Sequence, residues 1–485
     1  MIRRALFLSF GERYVGIALR LIQLTVLARL LTPEEFGIFV TAASIVLLLD
    51  LIADFGMSSY LIQARTVSRR RRSTAFGITL TASLLCACFV VIVAGSLPDS
   101  LIDPRLREVL YVLAAGLPLT GIAVPIIALL QRDMRFGALW LVGTARAVVL
   151  TFVGIGLAFY GAGPMSLAWA SLAERVVFLA TALHFSREVG WVWPRLDNWR
   201  SVARFGGLQT VANSLKQAAD AVTMVVTSKS LGFGSTGLLS RADRITGMFD
   251  QTVMQAIQPV ILPALAALRR ADQELRGFYL RTVALISVVS WPFFAFVFLF
   301  APDLVHLLLG SQWDAVVPVA RVLCLAGIFL PFVNMLLKFY TAVGQVDVFV
   351  RCSMIVQVTQ LCLIIPASLI SLEAVALALA CETFLRYLIT VGALKTRLGF
   401  SHHDVFVAVI PSLLVTLSTV VTATIAHELL KSVELPVVIE LALGGFGAGI
   451  GWFASLFATG HPLADEIRAL GHRAFGPGRK HAHGG

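Results

Sequence analysis

Residues 20–63 read RLIQLTVLARLLTPEEFGIFVTAASIVLLLDLIADFGMSSYLIQ and consist of two apolar runs joined by a short polar segment. In that segment, the Thr32 hydroxyl is placed to cap the second run, and Pro33 suits a first helical position. Glu35 completes a Thr-x-x-Glu capping box at the positive end of the helix. This pattern predicts a tight hairpin of two helices.

Both helices of the hairpin carry charge inside their apolar runs. Arg20 lies near the middle of the first run, and Asp50 and Asp54 lie in the second. A charge in hydrocarbon costs at least about 2.5 kcal/mol. We therefore expect these side chains to face protein or water, not lipid.

The hairpin also resembles a known family. LARLLTPEEFG (27–37), followed by an apolar helix and ADFGMSSYLIQ (53–63), is similar to the start of the Wzx-type polysaccharide-transport flippases. These belong to the multidrug/oligosaccharidyl-lipid/polysaccharide exporter superfamily. RADRITGMFDQTVMQAIQPVILPALAAL (241–268) and LLLGSQWDAVVPVARVLCLAGIF (307–329) resemble that family's second half.

The composition excludes a soluble protein. Of 485 residues, 58% are hydrophobic and 14% are charged, whereas soluble domains are roughly half apolar and about a quarter charged. We predict an all-α polytopic membrane protein, since each span needs about 20 apolar residues. The apolar runs indicate about fourteen spans, near 12–31, 36–62, 75–95, 108–131, 137–160, 164–185, 203–229, 236–265, 279–300, 315–337, 349–370, 373–394, 405–426 and 436–458.

The connections between these spans alternate between Arg-rich and Arg-poor. The four arginines at 69–72 are the densest example of the Arg-rich set. Basic loops stay in the cytoplasm, so the alternation predicts that both termini are cytoplasmic. The net charge of +11 is thereby interpreted as a topology signal, and we expect no nucleic-acid partner.

The opening hairpin recurs two hundred residues later. Gly37 aligns with Gly237, and Asp50 aligns with Asp250. A repeat in the same orientation predicts two parallel six-helix lobes, with the substrate site at the lobe interface. The resemblance implies the same lobes, rocking around a central cavity, and two additional C-terminal helices. The predicted parts are an N-terminal lobe (1–185), a cytoplasmic linker (186–202), a C-terminal lobe (203–397), two further spans (398–460) and a cytoplasmic tail (461–485).

The seventh predicted span carries polar side chains along one face. On a helix turning about 100° per residue, they stay within about 40° of one line. Intramembrane charge usually faces the bundle interior or a substrate path, so we expect this face to border a water-filled cavity. The alternative is a neutralising pair of Lys216 and Asp220 that packs against another helix. The residues are Gln209, Asn213, Lys216, Asp220, Thr223 and Thr227.

The eighth predicted span repeats this pattern more loosely. On a regular helix its cationic and amide side chains share one sector, while Asp243 and Asp250 point the opposite way, towards packing partners. Together with Arg20, the two spans supply the candidate substrate-binding residues. These are Arg20, Gln209, Asn213, Lys216, Asp220, Arg241, Arg244, Gln251 and Gln255.

Other intramembrane charges have local partners. Glu382 and Arg386 are four residues apart on one helix, and Arg146 and Glu174 lie at similar depth in adjacent spans. We interpret both as structural pairs, because paired charges satisfy one another. Three cations have no local partner and form a second set of cavity candidates: Arg175, Arg321 and Lys338.

The motifs of soluble catalysis are absent from the sequence. It contains no Walker loop, no dinucleotide glycine fingerprint and no His-Glu-x-x-His. We expect no enzyme activity, no catalytic residue, no cofactor and no metal. The histidine pairs at 402–403 and at 481 and 483 are interpreted as solvated loop residues.

The resemblance implies a flippase that moves a polyprenyl-diphosphate-linked oligosaccharide across the bacterial inner membrane by alternating access, for exopolysaccharide, capsule or O-antigen synthesis. Membrane lipid and polysaccharide polymerase machinery are further expected partners, and we expect a monomer. Lys and Arg in the cavity suit an anionic diphosphate, and amides suit sugar hydroxyls. The alternatives are a drug/cation antiporter, which would favour carboxylates, and a membrane-embedded glycosyltransferase or polymerase, which would need a larger extramembrane loop.

Overall fold

The structure is a computed structural model that describes residue 16 and residues 18–64, 67–186, 192–195, 199–270, 274–431 and 436–475. Parts of the predicted linker (187–191 and 196–198) and of the predicted tail (476–485) lie outside the described residues. Within these ranges the regular structure is entirely helical, with no strand. The all-α class predicted from the sequence is therefore confirmed.

The helices follow the predicted apolar runs closely. In chain order they are α1 18–30, α2 Pro33–Asp54, α3 Met57–Gln63, α4 Arg69–Ser96, α5 Pro104–Ala115, α6 Leu117–Arg132, α7 Phe136–Phe159, α8 Pro164–Ser186, α9 Trp199–Thr246, α10 Gln255–Arg270, α11 Leu275–Leu299, α12 Ala301–Leu308, α13 Val316–Ala326, α14 Leu330–Val333, α15 Leu336–Val343, α16 Val346–Ala367, α17 Leu372–Arg386, α18 Gly392–Leu398, α19 His402–Lys431, α20 Val437–Ala458 and α21 Pro462–Phe475.

Ten helical segments among the described residues are long and apolar enough to cross a membrane, with α5–α6 and α17–α18 each counted as one segment. An eleventh is a broken pair in which α13 and the segment Leu330–Val343 meet at a bend of 48°. The chain is therefore a multi-pass membrane protein. The count of fourteen stays a prediction. Predicted spans 203–229 and 236–265 are helical and are separated within α9 by non-helical backbone angles at Gly232, but their polar side chains make them less apolar than the ten.

The start of α2 confirms the predicted capping box. The Thr32 hydroxyl accepts a hydrogen bond from the Glu35 amide at 3.3 Å, and the Glu35 carboxylate accepts one from the Thr32 amide at 2.8 Å. These two bonds satisfy backbone groups that a helix start leaves without partners. The turn between α1 and α2 is therefore fixed locally, as the sequence indicates.

The second predicted span, 36–62, is broken near its end. Phe55 and Gly56 adopt left-handed backbone angles, with φ of 48° and 67°, and they separate α2 from α3. The Asp54 carboxylate accepts hydrogen bonds from the amide and the hydroxyl of Ser58, at 3.2 and 2.6 Å. Asp54 thus stabilises the start of α3, which accounts for one of the three charges within the hairpin.

The described helices form two compact units. Unit 1 comprises the described residues up to Arg241 together with Leu308–Ala315 and Gln357–Val375; unit 2 comprises the rest. In unit 1, α2, α4 and α5 bury an apolar cluster that includes Ile38, Val90 and Val109. In unit 2, α11 and α19 pack side by side, with α20 beside α19. The lobe boundaries expected from the repeat stay a prediction.

Candidate functional site

The first polar pair lies on α9. The Lys216 ammonium is 2.7 Å from the Asp220 carboxylate, and the two side chains are 58% and 37% exposed. The neutralising pair considered from the sequence is therefore formed. Both side chains nevertheless remain partly exposed, and their substrate-binding role stays a prediction.

Further along α9, the polar face packs against α16. The Gln360 amide nitrogen lies 3.4 Å from a carboxylate oxygen of Asp220 and 3.4 Å from the Thr223 hydroxyl. Thr223 and Thr227 are buried. The expectation that the whole face borders water is therefore wrong at these two threonines, because protein covers them. Gln209 and Asn213 lie on the same helix, but their side chains are outside the described residues.

Arg241 occupies a different environment. Its side chain is only 4% exposed, and its guanidinium carbon lies 3.7 Å from the Phe36 ring centroid and 5.3 Å from that of Trp313. The Trp313 indole in turn donates a hydrogen bond to the Ala28 carbonyl at 2.7 Å. These contacts give Arg241 a cation–π role that joins the start of α2 to the 310–315 segment.

The remaining candidate substrate-binding residues differ in how far their side chains are exposed. Arg244 and Gln255 are exposed and Gln251 is half-buried, all in unit 2. In unit 1, Arg20 is exposed, and its Nε donates a hydrogen bond to the Gly16 carbonyl at 3.1 Å. Exposed charge within a predicted span marks contact with water or a polar ligand.

A π turn at Asp250–Met254 changes which side chains share a face of the eighth predicted span. A π turn inserts one residue, which rotates everything after it relative to a regular helix. Asp243 and Asp250, which the regular pattern assigned to packing, are both exposed. Asp250 has a partner on another segment, since the Asn334 amide nitrogen lies 3.4 Å from its carboxylate, and for Asp243 the assignment stays a prediction.

Asp50 and Arg175 form a bidentate ion pair inside unit 1. The two nitrogen–oxygen distances are 3.0 and 2.6 Å, and the Thr120 hydroxyl donates to Asp50 at 2.9 Å. A Cβ on Gly116 would lie 2.3 Å from the Arg175 side chain, so the glycine leaves room for it. Arg175 therefore has a partner, which the sequence did not reveal because 125 residues separate the two.

Both structural pairs expected from the sequence are confirmed. Arg146 and Glu174 form an ion pair between α7 and α8. Arg386 and Glu382 are 2.6 Å apart on α17, where Glu382 is almost fully buried. These charges are satisfied by each other and serve packing.

Comparison with known families places these observations in context. The profile of the family described as "Polysaccharide biosynthesis protein" matches residues 26–318. The chain belongs to this family. The match covers the capped hairpin, both polar helices and the segment that contains Trp313.

Two curated relatives match similar lengths of this chain. The chain is 22% identical over 336 residues to "Lipopolysaccharide biosynthesis protein WzxC" of Escherichia coli (strain K12), covering 68% of each chain. It is 25% identical over 351 residues to "Succinoglycan biosynthesis transport protein ExoT" of Rhizobium meliloti (strain 1021), covering 70% of this chain and 67% of ExoT.

A solved structure shares the fold of this polysaccharide biosynthesis protein. "Lipid II flippase MurJ, inward closed conformation" superposes with a TM-score of 0.70 at 13% identity, covering 93% of this chain and 98% of MurJ. At this identity the likeness concerns the fold alone. The shared fold agrees with the multi-pass helical architecture described above.

Two glutamines of α16 are not among the residues predicted from the sequence. Gln357 and Gln360 are both buried, and Gln360 bonds to the polar face of α9. A signal was present, since two amides three residues apart in an apolar helix lie on one face. Among the described residues of this family member, no group of three or more His, Cys, Asp or Glu side chains could hold a metal ion.

Proposed function

We propose that this chain is a flippase that moves a polyprenyl-diphosphate-linked oligosaccharide from the cytoplasmic to the periplasmic leaflet of the bacterial inner membrane by alternating access. The family match over residues 26–318 carries the proposal. Names of relatives such as WzxC and ExoT, from lipopolysaccharide and succinoglycan biosynthesis, support a role in polysaccharide export. The activity is transport and not catalysis.

Three exposed cations of the candidate set suit an anionic substrate. Arg20 and Lys216 are exposed in unit 1, and Arg244 is exposed in unit 2. By its chemistry, each of these cations suits the lipid diphosphate, and amides such as Gln251 and Gln255 suit sugar hydroxyls. Gln209 and Asn213 extend the same amide set along α9. Asp220 holds the Lys216 ammonium in place until the diphosphate arrives.

The membrane potential supplies a driving force for export. A diphosphate carries about two negative charges, and each is worth about 2.3 kcal/mol per 100 mV. Outward movement across an inside-negative membrane therefore releases roughly 4–5 kcal/mol per 100 mV. The membrane potential can therefore drive export without a coupled ion.

The arrangement that we propose has fourteen spans in two six-helix lobes, two additional C-terminal helices and both termini in the cytoplasm. The chain acts as a monomer, beside polysaccharide polymerase machinery. The repeat that aligns Gly37 with Gly237 and the alternation of basic loops support this arrangement.

The test is flipping by the purified protein in liposomes. Lipid-linked oligosaccharide extracted from the source cells is incorporated, and its appearance in the outer leaflet is followed with a membrane-impermeant sugar oxidant. We expect faster flipping than in protein-free liposomes. Lys216→Glu and Arg244→Glu should each reduce the flipping rate at least about tenfold, because like charges repel. Lys229→Ala is the matched control, since Lys229 is an exposed cation on α9 outside the candidate set.

The same preparation separates the flippase from a drug/cation antiporter. A lipophilic cation is added in place of the lipid-linked oligosaccharide, with a proton gradient imposed. Uptake of the cation without flipping of the diphosphate lipid would overturn the proposed function.

A further inference from the structure

Three spans of unit 2 lose regular α-helical geometry part-way along their length. α13 and α14 are separated by a break at 327–329, and π turns occupy Asp250–Met254 and Tyr387–Val391. Such irregularities cost backbone hydrogen bonds, and in membrane proteins they are tolerated where they line a binding site or are buried in protein. All three irregularities lie in unit 2.

Side chains of neighbouring helices pack against each of the three irregular segments. A Cβ on Gly327 would lie 2.4 Å from the Phe294 ring, so this ring fills the space at the helix break. The Phe294 ring centroid is 5.6 Å from that of Phe249, which directly precedes the first π turn. At the second π turn, the Tyr340 hydroxyl donates a hydrogen bond to the Thr390 carbonyl at 2.7 Å.

A polar pair joins the first π turn to Asn334, which lies between α14 and α15. The Asn334 amide nitrogen is 3.4 Å from a carboxylate oxygen of Asp250, and the side chain of Asp250 is exposed while that of Asn334 is half-buried. A carboxylate exposed this far inside a predicted span faces water and not lipid, because hydrocarbon would penalise it by about 2.5 kcal/mol or more.

Aromatic rings pack between the helix break at 327–329 and the second π turn. The Phe329 ring centroid is 5.9 Å from that of Tyr387 and 5.0 Å from that of Phe384. Phe329 and Tyr387 are half-buried and Phe384 is exposed, so part of the ring surface is free. Aromatic faces carry partial negative charge, and the C–H face of a pyranose ring carries the complementary positive charge.

We propose that the helix break and the two π turns of unit 2 form a saccharide subsite. The Asp250 carboxylate and the Asn334 amide bind sugar hydroxyls, and the Phe329 and Tyr387 rings stack on the apolar face of a sugar ring. This inference rests on the proposed function and deepens it, because it assigns the saccharide, as distinct from the diphosphate, to a separate set of residues. None of these four residues is a candidate from the sequence.

The test compares two lipids that share the polyprenyl diphosphate and differ in the sugar. Binding of the extracted lipid-linked oligosaccharide and of synthetic polyprenyl diphosphate is measured in nanodiscs for the intact chain and for Asp250→Asn and Phe329→Leu. We expect each variant to bind the sugar-bearing lipid about tenfold more weakly, which corresponds to about 1.4 kcal/mol, and to bind the bare diphosphate lipid unchanged.

Matched controls are Asp243→Asn, an exposed aspartate seven residues before the π turn, and Phe406→Leu, an exposed ring on α19. Equal weakening for both lipids, or no weakening for either, would overturn the saccharide subsite and leave the flippase intact. Failure of the unaltered chain to bind either lipid would instead overturn the proposed function.

Discussion

Gly37 and Gly237 meet backbone to backbone within unit 1. A Cβ on Gly37 would lie 1.8 Å from the Phe233 carbonyl oxygen, and a Cβ on Gly237 would lie 2.1 Å from that of Pro33. These are the glycines that the internal repeat aligns at an offset of two hundred residues. The contact therefore joins equivalent points of the two repeats, and it requires the absence of a side chain at both.

Gly37→Ala should destabilise the protein, because the atoms that a methyl group would strike are rigid backbone. Overpacking of this kind costs about 1–3 kcal/mol, measured as a lower thermal unfolding temperature in detergent. Gly234→Ala is the control, since a Cβ there meets nothing within 4 Å and alanine favours a helix. Equal stability of the two variants would show that the helices separate without cost.

Lys216 and Arg241 should respond differently to replacement by alanine. Lys216 is 58% exposed, so Lys216→Ala should abolish flipping with normal abundance in the membrane. Arg241 is buried against Phe36, so Arg241→Ala should lower abundance as well as export. Quantitative immunoblots beside flipping assays distinguish the two, and normal abundance of Arg241→Ala would contradict the packing role.

Breaking the Asp50–Arg175 pair should be more harmful than removing it. Arg175→Met leaves a partly buried carboxylate without its bidentate partner, which we expect to cost about 3 kcal/mol. Adding Asp50→Leu should recover much of that loss in thermal unfolding. Glu466→Ala, which removes an exposed partner of Arg281, should have little effect. A double variant as unstable as Arg175→Met would show that the unpaired Asp50 carboxylate is not the source of the loss.

Membrane topology can be tested at three exposed serines. Cysteines at Ser100 and Ser311 should react with an impermeant maleimide in intact cells, and one at Ser68 should react only after the inner membrane is permeabilised. All three positions are exposed. Labelling at Ser68 from outside would reverse the predicted orientation.

His461 should make the attachment of α21 sensitive to pH. Burial lowers the pKa of His461. The His461 Nδ1 accepts a hydrogen bond from the Leu463 amide at 3.1 Å, and the Nε2 lies 3.0 Å from the Ser412 hydroxyl. The pKa of His461 is therefore lower in the folded protein than in the unfolded chain. The stabilisation that His461 provides is present above the unfolded pKa of about 6.5 and is lost as pH falls through the folded-state pKa.

Thermal unfolding temperatures at about pH 7.5 and about pH 5.5 test this dependence. His461→Leu should be less stable than the unaltered chain at the higher pH and should lose less on acidification. The exposed His306 supplies the control His306→Ala, which should retain the full pH dependence. An unchanged pH dependence in His461→Leu would exclude His461 as its source.

Local chemistry explains what the sequence predicted well. The capping box at Thr32 and Glu35 depends on residues three apart, and the Glu382–Arg386 pair depends on residues four apart. Apolar runs predicted the helices for the same reason, because the geometry of a helix fixes which nearby residues of the chain lie side by side. The exposed Lys216–Asp220 pair was likewise visible from spacing.

The sequence by itself determined the all-helical membrane class, the capped hairpin, the charge pairs within one helix and the family resemblance, since each depends on residues close in the chain or on overall composition. Only the tertiary structure decided that Arg175 neutralises Asp50, that Arg241 packs on Phe36, and that π turns and a helix break bring Asp250 to Asn334. The physical reason is that these contacts join distant segments, and one inserted residue in a helix turns every later side chain to a new face.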